Sequence, residues 1–273
     1  MPRPGLPKLI ATDLDGTLVR SDDTVSTFTH ATLDRVRAAG IPVVGATGRG
    51  PRLAELTRND IRTADFLVMA GGGRVVDQTD PAGPVVLRDE RLGGEVLAEL
   101  LTSLEQVVGP LTVMVEALDA PNAPLWGDHD PTWPYQDAFE ARNRRDCLAD
   151  DVIKAFARSA DHDVDVLLAT AREIIPPELA TLTQAGLGFI EITPPGVDKG
   201  SGLAVVAQAL GVDPAEVLVF GDMPNDLPMF EWAGWSRVAV TNAHQTVRAA
   251  ADEITLRNDD DGVAIYLDRL LSR

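Results

Sequence analysis

The sequence predicts an α/β fold in which a doubly wound parallel sheet carries an inserted α+β domain. Two observations predict the sheet: short apolar runs alternate with helical patterns, and several of these runs end in small polar turns. A third observation predicts the insertion, because prolines cluster and the character of the sequence changes from about residue 77 to residue 191. We therefore expect one domain formed by residues 1–78 and 192–273, and a second domain at 79–191.

The composition bounds the size and the surroundings of this fold. The chain has 273 residues, 45% of them hydrophobic, so it can bury the core of one large domain or of two modest ones. One cysteine, Cys147, excludes an internal disulfide and fits a reducing cytoplasm. We expect a cytoplasmic protein, because the sequence has neither a transmembrane run nor the long apolar core of a signal peptide.

The net charge of −18 narrows the range of partners. A charge of this sign argues against nucleic acid or an anionic membrane as a partner. It would also repel a phosphorylated substrate. Such a substrate would have to be attracted locally, by a metal ion, a lysine and backbone amides.

The first predicted strand ends in two carboxylates. Residues 9–12 are apolar except for the last, and Asp13 and Asp15 follow one residue apart, with Gly16 directly after them. The glycine predicts a turn, which places both acids at the carboxyl end of a strand, where open α/β sheets bind ligands. Two anions this close stay ionised most easily around a cation, and Mg²⁺ prefers carboxylate oxygens together with a substrate phosphate.

The next elements repeat the pattern of strand, turn and helix. Residues 26–39 have a narrow apolar stripe typical of a helix, and Gly40 suits its end. A buried strand at 41–46 runs into Thr47-Gly48-Arg49-Gly50, and a further helix begins near Leu53. This order presents backbone amides to a phosphate. A third strand is predicted at 66–70, which favours a parallel, doubly wound sheet.

Four motifs in this order resemble those of the haloacid dehalogenase superfamily of aspartate-nucleophile phosphatases. They are Asp13-Leu14-Asp15-Gly16-Thr17, Thr47-Gly48-Arg49, Lys199, and Gly221-Asp222-Met223-Pro224-Asn225-Asp226. The segment from Ile192 to Gly200 resembles the Cof-type branch, which has a large cap domain between the second and third motifs. The resemblance covers nearly the whole chain, weakly in the middle, and implies a Rossmann-like core. The chain departs from it at Gly71-Gly72-Gly73, where the family usually has Asn-Gly-Ala.

The middle of the chain fits an inserted α+β cap. A helix is predicted at 92–108, strands at 111–117 and 152–157, a mostly helical stretch at 164–184 that is interrupted at Pro176-Pro177, and a strand returning to the core at 188–192. Aromatic and histidine side chains are concentrated at Trp126, His129, Trp133, Tyr135 and Phe139. They fit equally a rim that packs on the substrate and the core of the cap. The nearby acids Asp128, Asp130 and Asp137 are typical of a solvated loop.

The last part of the chain returns to strands and helices. A helix is predicted at 203–210, strands at 217–220 and 238–240, and helical stretches at 245–251 and 258–269. These elements complete the sheet begun by the first three strands.

The resemblance implies a role for each motif residue. Asp13 would be the nucleophile, and Asp15 would protonate the leaving alcohol and later deprotonate water. Mg²⁺ would be held by Asp13, the backbone carbonyl of Asp15 and Asp222. Thr47 would donate a hydrogen bond to a phosphate oxygen, and Lys199 would neutralise another and hold Asp13 in place.

Gly48 and Asn225 complete the predicted substrate-binding set, Gly48 through the amides of its turn. Asp226 is more consistent with orienting Lys199 or the metal's water ligands than with direct ligation, and the same ambiguity applies to Asn225. Arg49 is more typical of a structural ion pair than of a substrate ligand. The ordinary alternatives are that Asp13 and Asp15 serve as a helix cap and a turn residue, and that Lys199 is a solvated lysine.

The function these residues favour is hydrolysis of a small phosphorylated metabolite with Mg²⁺ as cofactor. Sugar phosphates are the family-level expectation, and phosphorylated cofactors such as flavin mononucleotide or pyridoxal phosphate also fit. A second acid at Asp15 argues against a dehalogenase, which lacks it. A phosphomutase of sugar phosphates and a non-catalytic phosphometabolite-binding protein are the alternatives. The substrate, the choice between monomer and dimer, and the position of the cap stay open at this level.

Overall fold

The computed structural model describes residues 5–131, 133 and 138–272, and two sheets organise them. The first part of the chain contains β1 (Leu9–Thr12), α1 (Thr27–Ala38), β2 (Val43–Ala46), α2 (Ala54–Asp60), β3 (Phe66–Met69), β4 (Arg74–Asp77) and β5 (Val85–Asp89). The middle contains α3 (Gly94–Val108), β6 (Leu111–Glu116), β7 (Leu125–Gly127), β8 (Phe139–Ala141), α4 (Arg144–Cys147), β9 (Lys154–Ser159), α5 (Val164–Ile174), β10 (Thr181–Gln184) and β11 (Ile190–Thr193). The last part contains α6 (Lys199–Leu210), β12 (Val217–Gly221), α7 (Leu227–Trp232), β13 (Ser236–Val240), α8 (Gln245–Ala250), β14 (Glu253–Thr255) and α9 (Gly262–Leu271).

The first sheet has eight strands in the order β14-β13-β12-β1-β2-β3-β4-β5. The strands from β14 to β3 are parallel. Strand β1 lies between β12 and β2, with Ile10 opposite Leu218 on one side and Val43 on the other. The chain therefore winds outward from β1 in both directions, and this is the point where α/β sheets bind ligands. The predicted α/β class is confirmed.

Continuous apolar runs explain why these strands are central. Every residue of β1, β2, β3 and β12 is buried, as expected for strands covered on both faces. Helix α1 packs against α9. Helix α6 packs against α7 and lies across the strands from β2 to β5. The Ser26 side chain caps α1 by accepting the Thr29 N–H, and Asp198 and Ser201 form a capping box at the start of α6.

Strands β4 and β5 are an antiparallel edge that the sequence pattern did not predict. They pair with β3 and with each other at the end of the first sheet. The change in sequence character near residue 77 therefore precedes the last strand of this sheet. Three exposed residues begin β5, which hides its membership in a sheet from a search for apolar runs.

The second sheet has six strands in the order β10-β11-β9-β6-β7-β8 and is mostly antiparallel. Helices α3 and α5 pack on it and share an apolar core with it. The helix at 92–108 and the strands at 111–117 and 152–157 agree with the prediction to within a few residues. This sheet is the α+β unit expected for the insertion, and the exact domain boundaries at 79 and 191 stay a prediction.

One expectation in this region was right in part, and one was wrong. The stretch 164–184 is interrupted at Pro176-Pro177 as predicted, since α5 ends at Ile174, but the part after the prolines is not helical and residues 181–184 form β10 instead. The strand predicted at 188–192 exists as β11, but it pairs with β10 and β9 in the second sheet and does not join the first.

Several smaller expectations can also be placed. The cysteine Cys147 is buried, and burial raises the pKa of its thiol. Helix α7 and strand β14 were not predicted, because each is short. The predicted cap residues Tyr135 and Asp137 lie outside the described residues. Within the described part of the chain, the helices are too short or too polar to cross a membrane.

Candidate active site

Four predicted residues meet where the first sheet's parallel strands end. Asp13 follows β1, Thr47 follows β2, Asp222 follows β12, and Lys199 is the first residue of α6. All four are buried, although three of them carry charges. Buried charges are rare unless they are paired, so their partners define what this site can do.

Lys199 joins two carboxylates from different elements. Its Nζ donates to Asp13 Oδ1 at 2.5 Å and to Asp226 Oδ1 at 2.6 Å. Burial by itself lowers the pKa of Lys199, but the charges of Asp13 and Asp226 outweigh it and hold this pKa above the usual value. The lysine is therefore a fixed cation directly beside the predicted nucleophile.

Asp226 holds the lysine and shapes the loop after β12. Its second oxygen, Oδ2, accepts the backbone N–H groups of Asp222 at 2.8 Å and of Met223 at 3.0 Å. A Cβ at Gly221 would lie 2.6 Å from the Cβ of Asp226, so the glycine permits this close approach. Both oxygens of Asp226 are thus already engaged, as expected for a residue that orients Lys199.

Asp13, Asp222 and Asp226 form a cluster of acids that can hold a metal ion. One oxygen from each lies within 4.8 Å of the others. Burial raises the pKa of Asp13 well above its ordinary value even though Lys199 opposes the shift. Burial, followed by the charge of Asp226, raises the pKa of Asp222 to about 7. A cation between Asp13 and Asp222 would relieve this cost, so the residues fit Mg²⁺.

The loop after β1 also determines how closely the acids of the predicted metal site approach one another. Thr17 Oγ1 donates to Asp222 Oδ1 at 2.8 Å. Gly16 has φ +83°, and a Cβ at this position would lie 2.5 Å from Asp222 Oδ2. Asn242 Nδ2 donates to the Gly16 carbonyl at 2.8 Å and fixes the loop from the far side. The turn predicted at Gly16 is therefore what lets β1 and β12 bring their acids together.

Asp15 lies at the edge of the site and forms an ion pair with Arg49. Its carboxylate is 53% exposed and accepts a forked pair of hydrogen bonds from Arg49, at 2.9 Å from Nε and 2.5 Å from Nη2. Arg49 Nη1 also donates to Asp60 at 2.5 Å. Asp13 and Asp15 line one cavity, but Asp15 stays outside the carboxylate cluster. The expectation that Arg49 makes an ion pair agrees with the structure, and sequence reasoning did not identify its partner.

Thr47, Gly48 and Asn225 surround the approach to Asp13. Thr47 Oγ1 accepts the Arg49 N–H at 3.0 Å, so its own hydroxyl hydrogen can be donated to another acceptor. Gly48 lies beside Asn225, since a Cβ at Gly48 would be 3.8 Å from Asn225 Nδ2. Asn225 is buried, and its Oδ1 has no hydrogen-bond partner among the described residues. An unpartnered buried amide oxygen next to a turn of backbone amides suits a bound polar ligand.

The three consecutive glycines follow β3 in the sequence and pack against the start of α6, where Lys199 lies. The Gly71 N–H donates to the Thr47 carbonyl at 3.1 Å. A Cβ at Gly72 would lie 2.0 Å from the carbonyl oxygen of Asp198, the residue that caps α6. The close approach explains a glycine at position 72, because no side chain fits between this turn and the start of α6.

A cavity of about 380 Å³ extends from these residues to the second sheet. Its walls include Asp13, Gly48 and Asn225 beside the first sheet and Glu116, Lys154 and Glu191 from the second sheet, and Lys154 Nζ contacts the Gly48 carbonyl. Of the aromatic residues singled out in the insertion, Trp133 lines the cavity and also packs on Phe156 and Phe189. Trp133 therefore serves both as core and as cavity wall.

Sequence reasoning missed the charged residues that the second sheet contributes to the cavity wall. Glu116 ends an apolar strand, Lys154 begins another, and Glu191 lies between two isoleucines in β11. All three are buried. A charge inside an otherwise apolar strand is the signal that could have identified them, because such a group needs a partner in the interior.

Comparisons with known proteins agree with this arrangement. A family model described as haloacid dehalogenase-like hydrolase matches residues 10–267. The chain is 27% identical to the 5-amino-6-(5-phospho-D-ribitylamino)uracil phosphatase YwtE of Bacillus subtilis, over 97% of this chain and 98% of that protein. It is 30% identical to a phosphoglycolate phosphatase of Archaeoglobus fulgidus, over 94% of each chain. A haloacid dehalogenase-like hydrolase from Bacteroides thetaiotaomicron has a similar structure, with a TM-score of 0.73, 29% identity, and coverage of 97% of this chain and 99% of that one.

Proposed function

This chain belongs to the haloacid dehalogenase-like hydrolase family, and we propose that it is a Mg²⁺-dependent phosphomonoesterase with Asp13 as its nucleophile. The observation that carries the proposal is the buried contact of Lys199 with Asp13 and Asp226 at the carboxyl ends of the parallel strands. A carboxylate held in one position by a fixed cation is oriented to attack a phosphorus atom. The two phosphatases named above support this reaction class.

In the first step a carboxylate oxygen of Asp13 attacks the phosphorus atom. The bond from phosphorus to the ester oxygen breaks, its electron pair passes to that oxygen, and Asp15 supplies the proton that completes the leaving alcohol. Thr47 and the amides of the Gly48 turn bind the phosphoryl oxygens. Lys199 keeps Asp13 in line, because the lysine is itself held by Asp226.

In the second step water hydrolyses the aspartyl phosphate. Asp15, now deprotonated, accepts a proton from the water that attacks, and phosphate leaves with Asp13 restored. Arg49 orients the Asp15 carboxylate from the edge of the cavity through two hydrogen bonds. Asp15 lines the cavity and its side chain is 53% exposed, so an alcohol or a water can reach it.

Mg²⁺ would be held by Asp13 and Asp222, with the backbone carbonyl of Asp15 as the further ligand that the family resemblance implies. When bound, the ion supplies positive charge that offsets the repulsion between a carboxylate and a phosphate ester. Asp226 is left out of this set, because its two oxygens already accept hydrogen bonds from Lys199 and from the loop after β12.

The proposed substrate is a small phosphorylated metabolite, and sugar phosphates are the first class to test. The relatives named above act on a ribitylaminouracil phosphate in one case and on phosphoglycolate in the other, according to their names. Their substrates share the phosphate ester and differ in everything else. The shared phosphate ester therefore supports the type of reaction, whereas the choice of leaving group depends on the residues that line the cavity.

The decisive experiment is phosphate release from a panel of phosphorylated metabolites with Mg²⁺ or with EDTA. We expect release that requires Mg²⁺ and that falls by at least about a thousandfold in Asp13→Asn, because the amide is not a nucleophile. Asp34→Asn is the matched control, since Asp34 is an exposed acid on α1, and it should keep the native rate.

Other outcomes would contradict the proposal in distinct ways. An isomeric phosphate ester formed without net phosphate release would support a phosphomutase. Absence of release from every compound, with folded protein and bound Mg²⁺, would leave a binding role as the better explanation. Full activity of Asp13→Asn would remove Asp13 as the nucleophile.

A further inference from the structure

The turn that follows β2 is held by the second sheet and by one of its loops. We call residues 47–52 the β2 turn. Lys154 Nζ, at the start of β9, donates to the Gly48 carbonyl at 2.6 Å. The loop between β6 and β7 adds two hydrogen bonds, both with Arg52. The segment that carries the predicted phosphate ligands is therefore fixed by a part of the chain far from it in sequence.

The first sheet secures other groups of the same turn. The backbone of Thr47 is hydrogen-bonded to β3 and to the turn after it, and the Arg49 carbonyl accepts the Ala70 N–H at 2.8 Å. These bonds fix the residues on either side of Gly48 and do not involve its carbonyl. Lys154 adds the contact at the Gly48 carbonyl from the opposite side of the site.

Lys154 is a buried cation in an ion pair. It is 3% exposed, and its Nζ also donates to Glu191 Oε1 at 2.7 Å. Glu191 is opposite Phe156 in the pairing of β11 with β9, so both charged side chains lie on one face of the second sheet. The attraction within a buried ion pair seldom exceeds its cost of desolvation. The pair is therefore better explained by what it holds in place than by a gain in stability.

One peptide group connects Lys154 to the Thr47 side chain. The peptide that joins Gly48 to Arg49 accepts the lysine hydrogen bond at its oxygen and donates its N–H to Thr47 Oγ1 at 3.0 Å. An ammonium group makes a strong, charge-assisted bond to a carbonyl, and a peptide polarised at its oxygen is a better donor at its nitrogen. Lys154 therefore strengthens the bond that fixes the Thr47 hydroxyl.

We propose that Lys154 is a positioning residue for phosphoryl transfer and acts on Thr47 through the Gly48–Arg49 peptide. With the lysine in place, this peptide is held at both ends, and the Thr47 hydroxyl keeps the orientation that donates to a phosphoryl oxygen. Without it, the peptide loses the bond at its oxygen and the hydroxyl is held less well. This inference rests on the proposed phosphatase function, because it assigns a support for a phosphate ligand of that reaction.

The competing role for Lys154 is direct contact with the leaving group, because this residue also lines the cavity. The two roles differ in how they depend on the substrate. A residue that fixes a phosphate ligand affects every phosphate ester alike, since all of them share the phosphoryl group. A residue that binds the leaving group affects some esters and spares others.

The test replaces Lys154 and Glu191 together. Removal of the lysine alone would leave a buried carboxylate without its partner and would destabilise the fold. The double variant Lys154→Met/Glu191→Leu removes both charges at similar volume, so its Tm should stay within about 5 °C of the native value. We expect kcat to fall about tenfold for p-nitrophenyl phosphate and for each metabolite ester that the native protein hydrolyses. Unchanged kcat would overturn the inference, and so would a loss confined to one class of ester.

A double-mutant cycle tests the connection through Thr47. Thr47→Val removes the hydroxyl and should lower kcat about a hundredfold. If Lys154 acts through this hydroxyl, adding Lys154→Met/Glu191→Leu to Thr47→Val should lower kcat less than about threefold further. A further tenfold loss would show that the two residues act independently, and it would overturn the inference.

A second Lys–Glu pair provides the matched control. Lys8 Nζ contacts Glu216 Oε1 at 2.6 Å, where β1 and β12 begin and away from the strand ends that form the site. Lys8→Met/Glu216→Leu should keep the native kcat. A tenfold loss in this variant as well would assign the effect to a general change in the fold and would overturn the specific role of Lys154.

Two measurements separate this inference from the proposed function. Mg²⁺-dependent hydrolysis of p-nitrophenyl phosphate by the native protein reports on the phosphatase alone. Affinity for inorganic phosphate in the presence of Mg²⁺, measured by calorimetry, repeats the cycle without turnover. Weaker phosphate binding in Lys154→Met/Glu191→Leu, with no further weakening when the substitutions are made in Thr47→Val, would support the inference even if no ester were hydrolysed. Equal binding or additive losses would overturn it.

Discussion

At the scale of single residues, the site depends on one lysine shared by two acids. Lys199 contacts Asp13 and Asp226 at a buried position, and the third acid, Asp222, lies close to both. With all three acids ionised, the local balance would be negative by two charges. The raised pKa values of Asp13 and Asp222 are the direct consequence, since burial and mutual repulsion both disfavour the ionised forms.

This balance predicts that Mg²⁺ stabilises the protein more at neutral than at acidic pH. Without metal, the pKa of Asp222 is about 7 in the folded protein, against the ordinary value of 3.8 in the unfolded chain. The free energy of unfolding therefore falls as the pH rises between these two values. Mg²⁺ removes this loss by favouring the ionised acids. We expect the rise in Tm from EDTA to Mg²⁺ to be about 2–4 °C larger at pH 7.5 than at pH 5, measured by thermal unfolding.

A variant at the same position provides the check. Asp222→Asn cannot ionise at position 222, so its response to Mg²⁺ should be smaller and should vary less with pH. A metal effect that is greater at pH 5 than at pH 7.5 would contradict the assignment of Asp222 to the metal site.

At the scale of elements, the start of α6 is fixed by contacts from two directions. Its first residue is Lys199, its cap is Asp198, and the turn containing Gly72 packs directly on the Asp198 carbonyl. The capping box sets the direction of the first helical N–H groups. The position of the buried lysine therefore depends on a glycine far away in the sequence.

Gly72→Ala should displace the start of α6. A Cβ at this position would lie 2.0 Å from a backbone oxygen, at a φ of +110° that L-residues avoid. We expect a loss of about 2–3 kcal/mol in the free energy of unfolding, measured by urea denaturation, together with reduced phosphatase activity.

Gly83→Ala separates steric overlap from backbone strain. Gly83 also has a positive φ, of +128°, but no atom of the described residues lies within 4 Å of its would-be Cβ. This variant should lose only about 1 kcal/mol and keep full activity. Equal losses in the two variants would show that the contact with Asp198 contributes little.

At the scale of the whole molecule, a strongly acidic chain encloses a site for an anionic substrate. The net charge is −18, whereas the cavity contains Lys154, Arg49 and Arg52, each paired with an acid. The distant charges act through solvent and are weakened by salt, but buried contacts in the cavity are weakened far less. Salt should therefore weaken the repulsion between the acidic surface and an approaching substrate much more than it weakens the attraction of the bound substrate to the site.

We expect kcat/KM for a phosphate ester to rise about two- to fivefold as NaCl increases from roughly 10 to 200 mM at constant saturating Mg²⁺. The substrate is repelled less when the field of the acidic surface is screened, whereas kcat should change little because the bound state is already formed. Initial rates over this salt series measure both quantities. A steady fall in kcat/KM would show that local positive charge dominates the encounter.

Local spacing predicted the α/β class and the two acids after the first strand, and the resemblance to a known family added Lys199 and Asp222. An apolar run followed by Asp13-Leu14-Asp15-Gly16 identifies a strand and its turn, since a buried strand needs apolar residues and a tight turn needs glycine. The helix of residues 199–210 was likewise predicted in large part, and Gly211 closes it in a left-handed conformation.

Tertiary structure decided the pairings between distant parts of the chain. The sequence placed Arg49 in an ion pair but did not predict its partner Asp15, it did not predict the contact of Lys154 with the Gly48 carbonyl, and it did not place β11 in the second sheet. Local spacing sets the φ and ψ preferences of a segment, so it is readable from neighbouring residues. Which buried charges meet depends on the path of the whole chain, because a charge removed from water is stable only beside the partner that the fold brings to it.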